Sequence, residues 1–138
     1  MMLKIYTDGA AQGNPGPAGA GAVIQAGGQV YHYKKYLGET TNNRAEYQAL
    51  ILALEKTGKL ISQNRLEIDK IICYSDSELL VRQLRREYKV KDKILGSLFV
   101  KICNMSQDLP PIEYRHILRE KNKEADKLAN EAIPAAIV

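Results

Sequence analysis

Apolar and polar residues alternate from Leu3 to Thr7, the period-two signature of a strand with one buried face. A second such run, Ala20 to Gln25, is separated from a third, Gln29 to Leu37, by Gly27-Gly28, and a glycine pair between strand-like runs predicts a hairpin. From Asn43 to Leu60 the period changes. Ala45, Ala49, Leu52 and Ala53 fall at helical spacing, and Gly58 predicts fraying near the helix end. Lys70 to Tyr74 reads as a fourth strand, Glu78 to Glu87 and Lys93 to Met105 as helices, Ile112 to Ile117 as a fifth strand after Pro110-Pro111, and Lys123 to Ile133 as a last helix. The order is βββαβααβα. Strands linked through helices usually run parallel, so the expected class is α/β, a mixed sheet with helices on its faces. With no repeat or linker, residues 1–138 are expected to form one domain, with the apolar tail Pro134 to Val138 left unassigned.

Composition narrows the classes. The 45% apolar content suits a packed core, and no apolar run approaches the ~20 residues needed to span a bilayer. The expectation is a cytoplasmic protein without a membrane partner. Cys73 and Cys103 belong to no CxxC or Cys/His cluster and read as reduced core residues. A net charge of +4 and a pI near 9.0 favour a polyanionic partner, though only slightly.

Four acidic residues carry the candidate chemistry. Asp8 closes the first strand on the face of Tyr6 and precedes Gly9 and the stretch Gly13-Asn14-Pro15-Gly16-Pro17, although aspartate before glycine is also ordinary turn chemistry. Those glycines form no nucleotide loop, because no Gly-Lys-Ser/Thr follows. Glu46 stands three residues after Asn43, as in a capping box, yet shares a stripe with Leu50, Ala53 and Leu54 that points inward, where a charge requires a cation. Asp76 closes the fourth strand just before a helix, a usual capping position. Asp126 lies in the charged run Glu120 to Lys127, where acids are ordinarily solvated, but it borders the stripe of Ala129 and Ile133. Ligand sites of α/β sheets lie at the carboxyl ends of strands, and Asp8 and Asp76 both end strands able to lie side by side. Magnesium takes a few carboxylates plus waters and phosphate, and a pair of ions about 4 Å apart suits phosphodiester cleavage.

With these pieces in order, Tyr6-Thr7-Asp8-Gly9, Thr40-Thr41-Asn42-Asn43-Arg44-Ala45-Glu46, Ser75-Asp76-Ser77, and Asn122 with Ala125-Asp126-Lys127-Leu128-Ala129, the chain resembles type 1 ribonuclease H over nearly its whole length. The resemblance implies a five-stranded mixed sheet of order 3-2-1-4-5 flanked by helices. It implies an endonuclease that hydrolyses the RNA strand of RNA/DNA hybrids and leaves 5′-phosphate and 3′-hydroxyl ends. In that mechanism Asp8 bridges two Mg2+ ions, with Mn2+ as a substitute; Asp126 helps hold the ion that activates water, and Glu46 and Asp76 help hold the other. The resemblance also places Asn14, Asn42 and Asn43 at the minor-groove edge of the hybrid, and Thr41 and Arg44 near its backbone. For Arg44 an exposed position at the helix start is an equal alternative. A monomer with no obligatory protein partner is expected.

Two departures from the family pattern stand out. Many members carry a histidine on the loop before the last helix; here Leu118-Arg119-Glu120-Lys121 is short, His116 reads as a strand residue, and Arg119 or Glu120 is left as a stand-in. Where relatives often have a phosphate-binding asparagine this chain has Asp92, which as an anion cannot donate. Arg82, Arg85, Arg86 and Lys89 have the spacing of one helix face and offer replacement phosphate contacts or simply a solvated surface. The rival readings are a noncatalytic nucleic-acid-binding module and a broader nuclease of the same fold that cuts RNA/RNA duplexes or junctions.

Overall fold

The computed structural model describes residues 1–135. Strands β1 (Met2–Ala11), β2 (Gly16–Ala26) and β3 (Gln29–Thr40) form an antiparallel meander. Helix α1 (Asn42–Asn64) leads to β4 (Lys70–Ser75), α2 (Glu78–Leu84) and α3 (Lys93–Gln107) lead to β5 (Ile112–His116), and a 3-10 turn at Arg119–Lys121 precedes α4 (Lys123–Glu131). β4 runs parallel to both β1 and β5, so the sheet is mixed, with the expected order β3-β2-β1-β4-β5. None of the described helices is long and apolar enough to cross a membrane.

Alternation along the strands sends successive side chains to opposite faces. Leu3, Ile5, Ala22, Ile24, Ile71 and Cys73 point toward α1 and α3 and make the main core with Tyr47, Leu50, Leu54 and Ile102. Cys73 is buried as expected, whereas Cys103 is only half-buried. On the opposite face of β2, Val23 and Gln25 are followed toward α4 by Gly21 and Gly19, which present no side chain. A Cβ on Gly19 would stand 2.0 Å from the Ala129 carbonyl oxygen, and one on Gly21 would stand 2.3 Å from that of Ala125. These two glycines let α4 lie directly on the sheet, which is why a helix of only nine residues docks so closely.

Three local expectations are corrected. The first helix does not fray at Gly58; it runs on to Asn64, because Leu54, Thr57 and Leu60 are buried around the glycine and outweigh its penalty of about 1 kcal/mol. The first strand does not end at Asp8 but continues to Ala11 against β2, through Gly9↔Ala20 and Ala11↔Ala18. The basic residues after position 82 do not share a helix face. α2 stops at Leu84, and Arg86 turns left-handed at φ 63° while Glu87 N–H bonds Arg82 O at 2.8 Å and Arg86 N–H bonds Gln83 O at 3.0 Å. That paired bonding is the closure that normally recruits glycine, made here without one. Arg82 is held between Glu78 and Glu87, and Arg85 donates to the Tyr114 carbonyl at 2.7 Å.

Candidate active site

β1 and β4 stay paired only as far as Thr7↔Ser75. Past that point the groups of β1 that face β4 have no strand to bond, and unpartnered backbone in a folded interior is costly. Side chains take the missing strand's place. Gly9 N–H donates to the Glu46 carboxylate, and Ala11 N–H donates to Asn42 Oδ1 at 3.1 Å, both acceptors coming from the first two turns of α1. The Thr7 carbonyl accepts from Asn122 Nδ2 at 2.8 Å.

This splice assembles the acids. Asp8 is the first residue of β1 beyond the parallel pairing, and Asp76 is the first residue after β4, so the two emerge side by side. Glu46 reaches them from α1, and the three carboxylates each offer an oxygen within 4.8 Å of the others. Asp126, on the inner side of α4, lines the same open cleft of about 500 Å³. The alternatives open to these acids in the sequence are filled by other residues. Thr41 caps α1, its Oγ1 accepting from Arg44 N–H at 3.3 Å, so no capping box forms with Asn43. Ser77 caps α2 by accepting from Leu80 N–H at 3.2 Å, which leaves the Asp76 carboxylate free of that duty.

The five residues expected to contact substrate divide. Asn42 and Asn43 line the cleft beside the acids. Asn14, Thr41 and Arg44 do not; they flank it. Asn14 Oδ1 accepts from Asn42 N–H at 3.1 Å and so ties the Gly/Pro-rich loop to the start of α1. Arg44 sits 3.8 Å from Asp92 Oδ2, while Asp92 Oδ1 caps α3 at Ile94 N–H. Asn122 belonged to a recognised motif, but its bridging bonds were not anticipated. The only sequence signal for them is its place one helical turn before Asp126.

Electrostatically the cluster is under-compensated. Asp8 and Glu46 are 6% and 7% exposed, and among the described residues no lysine or arginine comes within ion-pair distance of Asp8, Glu46 or Asp76. Among the described residues Arg119, 3.9 Å from Asp126 Oδ1, is the one basic side chain within ion-pair distance of any of the four acids. Burial, then the neighbouring Glu46 charge, pushes the Asp8 carboxyl up to about 10. Burial raises Glu46 to about 7, against the opposing pull of the Gly9 amide. Oxygen-only donors, mutually close, mostly buried and under-neutralised, fit a hard divalent cation.

A pH dependence follows. Because Asp8 has a folded pKa above its unfolded value of 3.8, the folded chain without metal keeps a proton that the unfolded chain has lost. Its contribution to stability is full below about pH 4 and is lost as pH rises toward 10. Melting temperatures in EDTA should therefore fall between pH 5 and pH 9 more for the parent than for Asp8→Asn. A parent that gained stability over that range relative to the variant would contradict the assignment.

A family model described as reverse transcriptase-like matches residues 6–132. A ribonuclease H of Dechloromonas aromatica is 31% identical over 95% of this chain and 93% of its own length. The chain belongs to the ribonuclease H family. Among solved structures, LC11-RNase H1 in complex with RNA/DNA hybrid is 45% identical, with 99% of both chains covered and a TM-score of 0.90. A bifunctional protein of Mycobacterium tuberculosis is 36% identical over 99% of this chain, which spans only 36% of that relative's length.

Of the residues near the place where many ribonucleases H carry a histidine before the last helix, Arg119 alone among His116, Arg119 and Glu120 lines the site. Arg119 lines the cleft, whereas His116 ends β5 as an exposed strand residue and Glu120 points elsewhere, toward a separate hollow beside Tyr6. A guanidinium holds its protons at any working pH, so Arg119 can attract a phosphate but cannot relay a proton.

Proposed function

We propose that this chain is an endonuclease that hydrolyses the RNA strand of RNA/DNA hybrids with divalent metal, and that its products carry 5′-phosphate and 3′-hydroxyl ends. The observation that carries the reading is the carboxylate trio of buried Asp8 and Glu46 with half-buried Asp76 at the point where β1 and β4 part. Asp8, Glu46 and Asp76 would hold one magnesium ion, and Asp8 with Asp126 a second; manganese suits the same oxygen donors. Such ions supply the positive charge that makes a water nucleophilic at neutral pH and that steadies the leaving oxygen. The remaining work belongs to the chain. The Gly9 amide fixes one oxygen of Glu46, and the tether from Asn14 to Asn42 sets the loop against the start of α1.

Asn14, Asn42 and Asn43 would read the minor-groove edge, where 2′-hydroxyls distinguish the RNA strand, and Thr41 and Arg44 would lie along the backbone. Arg119 at the cleft mouth suits a phosphate oxygen. Residues 1–138 would act as one domain, a cytoplasmic monomer in this reading, which sedimentation of the purified chain tests.

The deciding experiment is a panel of end-labelled duplexes, RNA/DNA, RNA/RNA, DNA/DNA and RNA–DNA junctions, incubated with Mg2+, Mn2+ or EDTA. Cleavage of the RNA strand of the hybrid, dependent on metal, is the expected result. A chain that binds hybrid without cutting it in either metal is a binding module, and the proposal fails; cleavage of RNA/RNA at the same rate makes it a broader nuclease.

A further inference from the structure

Asn122 touches three of the four places from which the acids project. Its Nδ2 donates to the carbonyl of Thr7, the residue before Asp8, at 2.8 Å, and to Asp76 Oδ2 at 3.4 Å. Its own carbonyl accepts from the Asp126 amide at 3.1 Å, the first bond of α4. One residue therefore joins β1, the end of β4 and the start of α4, and it does so at 2% exposure.

The orientation of its amide is forced. Thr7 O and Asp76 Oδ2 are both acceptors, so the NH2 end must face them; reversing the amide would set oxygen against two oxygens. The consequence is visible at the other end, where Asn122 Oδ1 is buried with no hydrogen-bond partner, one of two such side-chain atoms among the described residues. A buried polar atom left unpaired calls for a reason beyond packing. Nor does the side chain cap the helix it precedes, although asparagine there ordinarily would. Both its unmet oxygen and its unused capping capacity are accounted for if the amide serves the acids.

We propose that Asn122 is a positioning residue that sets the spacing of Asp8, Asp76 and Asp126 for metal binding, an inference that rests on the metal site described above. Its Nδ2 holds one Asp76 oxygen back against the end of β1 and leaves the other oxygen free to face the cleft. Its backbone carbonyl starts α4 so that Asp126 arrives one turn later on the same side.

The test uses the full chain with Asn122→Ala and Asn122→Ser. Serine keeps a good helix-starting residue while being too short to reach Thr7 or Asp76. Mn2+ affinity is measured by calorimetry without substrate, alongside circular dichroism melts and hybrid cleavage over a range of Mg2+. The expected result is metal affinity weakened about 10-fold or more in both folded variants, as for other partners of metal ligands. Apparent kcat should fall at low Mg2+ and recover as Mg2+ rises, with KM for the hybrid little changed. Parent-like Mn2+ affinity in either folded variant overturns the proposal, and so does unfolding of both at low temperature, which would make Asn122 a fold determinant alone. If the parent chain itself binds Mn2+ but cuts no hybrid, the functional reading fails while the role of Asn122 can still be measured.

Discussion

Asp8→Asn should abolish cleavage of the hybrid, lower kcat about 1000-fold or more, and yield a protein more stable than its parent in magnesium-free buffer. The two effects have one cause. Asp8 is buried beside Glu46, with Asp76 and Asp126 close by, and among the described residues no basic side chain comes within ion-pair distance of Asp8 itself. Metal ions are worth several kcal/mol to a transition state of this kind, and losing about 4 kcal/mol is roughly a thousandfold in rate. Without metal the same carboxylate must be buried either protonated or uncompensated, and an isosteric amide escapes that penalty. A gain of about 1 kcal/mol corresponds to ~3 °C in a domain of this size. Cleavage assays and melts in EDTA check both halves, and hybrid affinity measured alongside should be largely retained. Near-parental cleavage would remove Asp8 from the chemistry; a lower melting temperature in EDTA would mean that the cluster is not strained.

Gly9→Ala has the second-largest expected effect, although glycine 9 carries no reacting group. A Cβ there would sit 2.2 Å from the backbone carbon of Ala45 and 2.4 Å from the Glu46 nitrogen. Backbone cannot step aside as a side chain can, so α1 must lift from β1. Overpacking of this kind costs about 1–3 kcal/mol of stability. It also moves Glu46 away from Asp8 and Asp76, and a displacement near 1 Å lowers rates about 100-fold. Denaturant melts and kcat at saturating hybrid measure the two. A variant with parental stability and parental kcat would show that α1 and β1 are not as tightly apposed as the structure has them.

Periodicity and chain connectivity foretold the elements and a mixed sheet, whereas the strand order came from the likeness of the motifs to ribonuclease H. Element ends were harder to read. Gly58 looked like a break because propensity is local, whereas the burial of Leu54 and Leu60 that carries α1 past it is tertiary. The residues from Arg82 to Lys89 looked like one helical face because spacing cannot reveal that Arg86 turns left-handed without a glycine to announce it. Asp76 and Glu46 each had a capping explanation that Ser77 and Thr41, their neighbours, turn out to fill. Asn122 illustrates the deepest limit, since its bonds span 115 residues to Thr7 and no local pattern encodes such a contact.

The glycine pair on the far face of β2 has a consequence for how this protein can change. Asp126 stands where it does because the carbonyls of Ala125 and Ala129 rest on Gly21 and Gly19, two residues that present no side chain at all. Any gain of a methyl group at either position acts as a spacer under α4 and carries Asp126 outward, whatever its effect on the strand itself. The mutational tolerance of a quiet interior strand is thus set from the helix above it by the reach of a carboxylate, and drift at two glycines is confined along with drift at the acids they serve.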